Sequence, residues 1–163
     1  MAPVTTIKVL VIDDDHDDCR LVTDLLNDGQ RAKFVVECAV TGEAGYQLLR
    51  AQRYDVVLLD YMLPDTDGMA FLKLVKDGHF KVPVVIITSH GDRNLQVRAL
   101  EAGAAEYLEK GKIDAKLLER TCLRHRPSGK AQHQRQWAGR WVPDGPTGRP
   151  DTRIRESPNG HDG

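Results

Sequence analysis

The chain has 163 residues, enough for one domain with a terminal extension but cramped for two. Its 23 basic and 24 acidic residues nearly balance, so overall charge gives no reason to expect binding to nucleic acid or membranes. No apolar run has the length of a membrane span, and the three cysteines are too widely spaced for a disulfide framework or a zinc site. We therefore expect a cytoplasmic protein with reduced thiols.

Charge is unevenly distributed along the chain. Residues 1–123 carry 15 Lys and Arg against 20 Asp and Glu, whereas residues 124–163 carry 8 against 4. From Pro127 onward the sequence is rich in Arg, Pro and Gly and has too few large apolar residues to build a core. We predict one folded domain in residues 1–126 and a basic, disordered tail in residues 127–163.

The folded part alternates between short apolar runs and amphipathic helical patterns. The predicted strands cover residues 7–12, 34–39, 55–59, 82–87 and 106–109. Helical patterns begin at residues 17, 41, 94 and 114, and another includes Phe71, Leu72, Leu74 and Val75 after a loop at Gly68. Short connections between alternating elements require right-handed crossovers between parallel strands. The sequence therefore predicts an α/β fold, a doubly wound five-stranded parallel sheet with helices on both faces.

Polar side chains stand where the predicted strands end. Asp13 and Asp14 follow the first strand, Asp60 the third, Thr88 the fourth and Lys110 the fifth. In such sheets the functional crevice lies at the carboxyl ends of the strands. Carboxylates held close together repel unless a cation lies between them, and oxygen ligands without histidine or thiolate favour Mg²⁺. The pattern predicts a Mg²⁺ site, and the lysine indicates that an anion joins the metal.

These motifs resemble those of the receiver domains of two-component response regulators, over residues 7 to about 125. The matching segments are VLVIDDD with Asp13 and Asp14, DVVLLDYMLPDTDG with Asp60, VPVVIITS with Thr88, and GAAEYLEK with Tyr107 and Lys110. The resemblance implies a flavodoxin-like sandwich with strand order 2-1-3-4-5. It also implies a stand-alone receiver of the chemotaxis-regulator type.

In that family the acid at the end of the third strand is the phosphoacceptor. The resemblance implies that Asp60 attacks the phosphorus of a phosphohistidine and forms an acyl phosphate. Mg²⁺ would be held by Asp14, Asp60 and the backbone carbonyl of Met62, with Asp13 acting through water. The chain would be no enzyme beyond its own phosphorylation and dephosphorylation.

The resemblance also implies a switch. Lys110 would pair with a phosphoryl oxygen and Thr88 would donate a hydrogen bond to another. Movement of Thr88 would let Tyr107 turn inward and reshape the face formed by the fourth helix, fifth strand and fifth helix. The expected partners are a sensor histidine kinase or phosphotransfer protein and an unidentified downstream protein. We expect no DNA-binding domain, no membrane contact, and homodimer formation through the same face.

The sequence leaves three points open. Gly111 follows Lys110 where the family commonly has a proline, so we expect a trans peptide bond and a looser loop there. Asp13 and Asp15 also form an Asp-x-Asp pair, which would suit a phosphatase of the haloacid dehalogenase type with Asp13 as nucleophile. A third possibility is an interaction module that keeps the fold without regulated phosphorylation.

Overall fold

The structure is a computed structural model that describes residues 4–126, and the predicted tail lies outside the described residues. Strands and helices alternate throughout, as β1 (Thr6–Ile12), α1 (His16–Asn27), β2 (Lys33–Ala39), α2 (Gly42–Ala51), β3 (Val56–Asp60), α3 (Gly68–Asp77), β4 (Val84–Thr88), α4 (Arg93–Glu101), β5 (Glu106–Glu109) and α5 (Ala115–His125). A short 3-10 turn, Lys110–Lys112, joins β5 to α5. The strands form one parallel sheet in the order β2-β1-β3-β4-β5, which confirms the predicted fold.

The two faces of the sheet bury two separate apolar clusters. Along β1, Ile7 and Val9 point to the face covered by α1 and α5, and Leu10 and Ile12 point to the opposite face. The central strands β3 and β4 are buried along their whole length, as expected for strands covered on both faces. Within residues 4–126, no helix is long and apolar enough to cross a membrane.

Strand β4 begins two residues later than predicted and includes Thr88. The predicted strand contained Pro83, which has no N–H group to donate to a neighbouring strand. The carbonyl of Pro83 accepts a hydrogen bond from Val57, but the paired ladder itself starts at Val84. This places the Thr88 hydroxyl at the end of the strand rather than in the loop.

The prediction of three reduced thiols is wrong for two of the cysteines. Cys19 of α1 and Cys38 of β2 form a disulfide with their Cα atoms 6.5 Å apart, whereas Cys122 is free and buried. The prediction failed because helix α1 packs against β2, which brings residues 19 positions apart into contact. The first turn of α1 is thereby tied to the edge of the sheet.

Candidate functional site

Three carboxylates meet at the carboxyl edge of the sheet. Asp13 and Asp14 follow β1 and Asp60 ends β3, and these two strands are hydrogen-bonded neighbours. One carboxylate oxygen from each residue lies within 4.8 Å of the others, a spacing that could hold a metal ion. Asp13 is 5% exposed and Asp60 is 9% exposed, so two of the three acids are largely removed from water. Buried acids at this distance repel each other and favour a cation between them.

Lys110 reaches into the same pocket from the turn after β5. Its ammonium nitrogen lies 2.6 Å from Asp18 Oδ2, 2.9 Å from Asp13 Oδ2 and 3.5 Å from Asp60 Oδ2. Asp18 lies in the first turn of α1 and was not predicted as part of the site. A sequence signal for it exists, because Asp18 is one and two helical turns before the buried residues Val22 and Leu26 and so lies on the inward face of α1.

The surroundings of Asp60 oppose its ionisation. Burial raises the pKa of the Asp60 carboxyl from 3.8 to about 6, with a further contribution from the charge of Asp13, although Lys110 and the backbone N–H of Met62 act in the opposite direction. For Lys110, burial alone would lower the pKa, but the hydrogen bonds to Asp18 and Asp13 more than offset this and raise it. Lys110 is therefore charged at neutral pH, and ionisation of Asp60 at neutral pH lowers the stability of the fold.

The raised pKa of Asp60 predicts that Asp60→Asn increases the free energy of unfolding when no metal is bound. Because the folded-state pKa of Asp60 is raised, the stability contributed by its protonated form is present below about pH 4 and is lost as pH rises through about 6. Asparagine cannot ionise. We expect a free energy of unfolding at pH 7 higher than that of the wild type by about 1 kcal/mol, after a discount for solvent screening. Urea unfolding with a chelator present measures it.

Urea unfolding near pH 4 should show no difference in the free energy of unfolding between Asp60→Asn and the wild type, because wild-type Asp60 is protonated there. Asp77→Asn is the matched control, since the Asp77 side chain is 62% exposed and pairs only with Lys73 among the ion pairs of the described region. A difference that is unchanged between the two pH values would contradict this explanation.

Thr88 and Tyr107 are both connected to the loop between β4 and α4. The Thr88 hydroxyl, in a residue that is 4% exposed, accepts a hydrogen bond from the backbone N–H of His90 and donates one to its carbonyl. The Tyr107 hydroxyl accepts a hydrogen bond from the Asp92 backbone N–H at 3.4 Å and donates one to the His90 carbonyl at 3.5 Å. Tyr107 is 9% exposed, so its ring already lies inward in this structure.

The loop after Asp60 is fixed at both ends. The Met62 backbone N–H donates to Asp60 Oδ1 at 3.4 Å, and the Asp65 carboxylate accepts hydrogen bonds from the N–H groups of Gly42 and Glu43 at the start of α2. These two hydrogen bonds hold the pKa of Asp65 below its usual value. Asp65 was not predicted as part of the site. Its contacts tie the chain beside Asp60 to a neighbouring helix.

Comparison with known proteins decides what kind of domain carries this pocket. Residues 9–121 match the family described as the response regulator receiver domain. The chain belongs to that family. It is a two-component response regulator receiver, a signal-transduction module, and the predicted family resemblance is confirmed. Its relatives are transcriptional regulators and receiver domains rather than metabolic enzymes.

The receiver has relatives among both sequences and solved structures. It is 35% identical over 113 residues to the probable transcriptional regulatory protein SilR of Salmonella typhimurium and 34% identical to the transcriptional regulatory protein CusR of Escherichia coli. Each match covers 69% of this chain and 48% of the relative. The receiver domain of a response regulator NarL from Mycobacterium tuberculosis superposes with a TM-score of 0.66 at 28% identity, over 75% of this chain and 96% of that one.

These comparisons contradict the predicted set of partners, which contained no DNA-binding domain. The chain spans about half the length of the SilR and CusR relatives, and they are transcriptional regulators. A third relative, from Klebsiella pneumoniae, is a DNA-binding transcriptional regulator, NtrC, of which the match covers 21%. The prediction failed because the receiver sequence carries no information about what such a domain is joined to.

The segment around Gly111 also differs from expectation. All peptide bonds of the described residues are trans, as expected at Gly111, but residues 110–112 form a 3-10 turn rather than a looser loop. The ion pairs of Lys110 hold one end of this turn. Asp15, the second acid of the phosphatase alternative, is occupied as the N-cap of α1, where it accepts hydrogen bonds from the backbone N–H groups of Asp17 and Asp18.

Proposed function

We propose that the receiver accepts a phosphoryl group on Asp60 from a histidine kinase in a Mg²⁺-dependent reaction. The observation that supports this most directly is the convergence of Asp13, Asp14 and Lys110 on Asp60 at the carboxyl edge of the sheet. Carboxylates supply the oxygen ligands that Mg²⁺ prefers, and the ammonium supplies a fixed positive charge for an anion. Asp13 has both kinds of neighbour as well, but Asp60 is the acid that ends the central strand β3, between Asp13 after β1 and Thr88 of β4.

The donor set fits Mg²⁺. Asp13, Asp14 and Asp60 offer three closely spaced carboxylate oxygens, and the backbone carbonyl of Met62 follows Asp60 by two residues. These four groups would hold the ion, with Asp13 acting through water. When bound, Mg²⁺ would neutralise the acids and the phosphoryl oxygens.

The residues of the pocket suit Asp60 to the role of nucleophile. With its pKa raised to about 6, the carboxylate is ionised at neutral pH yet poorly stabilised by water. One of its oxygens would form a bond to phosphorus as the phosphorus–nitrogen bond of the donor's phosphohistidine breaks, with the bonding electron pair staying on the imidazole nitrogen. Lys110, next to Asp60 Oδ2, would then pair with a phosphoryl oxygen of the resulting acyl phosphate.

The hydrogen bonds of Thr88 and Tyr107 support a proposal for the switch. A phosphoryl oxygen that draws the Thr88 hydroxyl toward Asp60 would break its contacts with the backbone of His90. The Tyr107 hydroxyl contacts the same segment, so the loop before α4 would shift against β5. Since the Tyr107 ring is already inward, we propose that the loop moves rather than the ring. The affected surface is the α4-β5-α5 face.

We place this activity in the cytoplasm and limit the chemistry of the chain to its own phosphorylation and dephosphorylation. The Cys19–Cys38 pair makes this location testable, because the cytoplasm keeps most thiols reduced. Acid quenching of the cells, followed by alkylation of the unfolded chain, tests the location, because unfolding exposes the buried Cys122. Three modified cysteines are expected in the cytoplasm, and one would indicate an oxidising compartment.

Incubation with acetyl phosphate tests the proposed function. We expect the intact mass of the full chain to rise by one phosphoryl group when Mg²⁺ is present and to stay unchanged when Mg²⁺ is removed with a chelator. Alkaline treatment should remove the added mass, since acyl phosphates hydrolyse under those conditions. Equal labelling with and without Mg²⁺ would contradict the proposed role of the metal.

A further inference from the structure

The ammonium of Lys110 is shared unequally among its acidic neighbours. Its nitrogen lies 2.6 Å from Asp18 and 3.5 Å from Asp60, the acid at which we propose phosphorylation. In this structure the lysine therefore lies closer to the carboxylate of α1 than to that of β3. The inference that follows rests on the proposed function and concerns how that site is regulated.

Asp18 is held firmly in this position. Its backbone N–H is bound by the N-cap Asp15 at 3.4 Å, and its neighbour Cys19 is joined to Cys38 of β2. The Asp18 side chain is 31% exposed and that of Lys110 is 18% exposed, so the pair is only partly screened by water. The backbone that carries the Asp18 carboxylate is thus anchored, and Lys110 must give up its contact with that carboxylate in order to turn toward Asp60.

Asp18 stands apart from the acids that could hold the metal. The group of closely spaced carboxylates consists of Asp13, Asp14 and Asp60, and Asp18 is not among them. Its ion-pair contact is with Lys110. A change at Asp18 therefore acts directly on Lys110, and it acts on a bound metal only through long-range electrostatic interaction.

We propose that Asp18 is a positioning residue that competes with the phosphoryl group for Lys110. A phosphoryl group on Asp60 adds negatively charged acceptor oxygens beside the ammonium. Lys110 then turns toward them, and its contact with Asp18 weakens. The pairing with Asp18 stabilises the phosphoryl-free state and so reduces the affinity of the pocket for a phosphoryl group.

Beryllofluoride, a phosphoryl mimic named in the structure of an activated DrrB receiver domain, is a suitable probe. Titration of the full chain with beryllofluoride in saturating Mg²⁺ gives the affinity by calorimetry. We expect Asp18→Asn to bind it about fivefold more tightly than the wild type, the size expected for losing one partly exposed ion pair. Asp18→Glu keeps a carboxylate near Lys110 and should stay within about twofold of the wild type.

Asp17→Asn is the matched control. It removes one negative charge from the same helical turn, but Asp17 is exposed and forms no ion pair with Lys110 in the described region. A second control places Asp18→Asn in a Lys110→Ala background, where the competition no longer exists and the gain should vanish. A merely structural role for Asp18 would give weaker binding in every background.

The outcomes separate this inference from the proposed function. If Asp18→Asn binds beryllofluoride no more tightly than Asp17→Asn, the competition by Asp18 is disproved while the phosphorylation site stands. A gain that persists in the Lys110→Ala background would also overturn it. If the wild type does not bind beryllofluoride at all, the proposed function fails, and the inference fails with it.

Discussion

Asp60→Asn is expected to abolish phosphoryl uptake from acetyl phosphate. The amide has no anionic oxygen to attack phosphorus, and removal of a nucleophile typically lowers the rate on the order of a thousandfold or more. The substitution keeps the size of the side chain, and we expect the fold to become more stable rather than less. Intact-mass measurement over time, with Mg²⁺ present, gives the rate for both proteins.

Asp77→Asn again provides the control, because it makes the same chemical change on the exposed surface of α3. It should be phosphorylated at the wild-type rate. If Asp60→Asn were labelled as fast as Asp77→Asn, another group would be the acceptor. Asp13→Asn would then be the next variant to measure, since Asp13 is the nucleophile of the phosphatase alternative.

Lys110→Ala is expected to lower the free energy of unfolding at pH 7 by about 2 kcal/mol in the absence of Mg²⁺. The substitution leaves Asp13, Asp18 and Asp60 without the ammonium that contacts all three. Removing one partner from a fully buried ion pair would lower the free energy of unfolding by more than this. The Lys110 pocket is partly exposed to water, which reduces the effect. Phosphoryl uptake should also slow, by about tenfold or more, because the charge next to Asp60 is lost.

Lys112→Ala is the comparison for this effect. Lys112 belongs to the same 3-10 turn, but its side chain is 76% exposed and pairs with Glu109 on the surface. Its loss should change stability by less than about 0.5 kcal/mol. Addition of Mg²⁺ should restore part of the stability of Lys110→Ala, because a dication can replace the missing charge. Equal losses for the two variants would mean that the buried acids do not depend on Lys110.

Much of the fold was predictable because the apolar runs, the helical patterns and the polar residues at the strand ends all indicate the same topology. The apolar runs that form β3 and β4 are buried on both faces, and the polar residues that end them mark one edge of the sheet. Parallel strands bring those ends together, so the grouping of Asp13 with Asp60 follows from topology. Among the strands of the site the largest misplaced boundary is the start of β4, predicted two residues too early, before Pro83, and the boundaries of β1 and β3 differ by one residue.

The remaining features of the site depend on contacts between segments that are distant in the sequence, and no local sequence pattern indicates such contacts. Acids near the N-terminus of α1 are favourable whatever else they contact, so the sequence does not distinguish Asp17 from Asp18, which also contacts Lys110. The contact between Cys19 and Cys38 depends on how α1 sits on β2. The hydrogen bond that Asp65 accepts from the start of α2 joins residues 23 positions apart, so no local sequence pattern indicates it. The receiver motifs contain no pattern that identifies the partners of the chain.

The central claim is that Asp60 itself carries the phosphoryl group. Reductive trapping tests it most directly: the chain is phosphorylated with acetyl phosphate and Mg²⁺, treated with borohydride, digested and sequenced by mass spectrometry. Borohydride converts an aspartyl phosphate into homoserine, so we predict homoserine at position 60 and unmodified aspartate at positions 13, 14 and 18. Homoserine at any of those three positions, with aspartate retained at position 60, would contradict the claim.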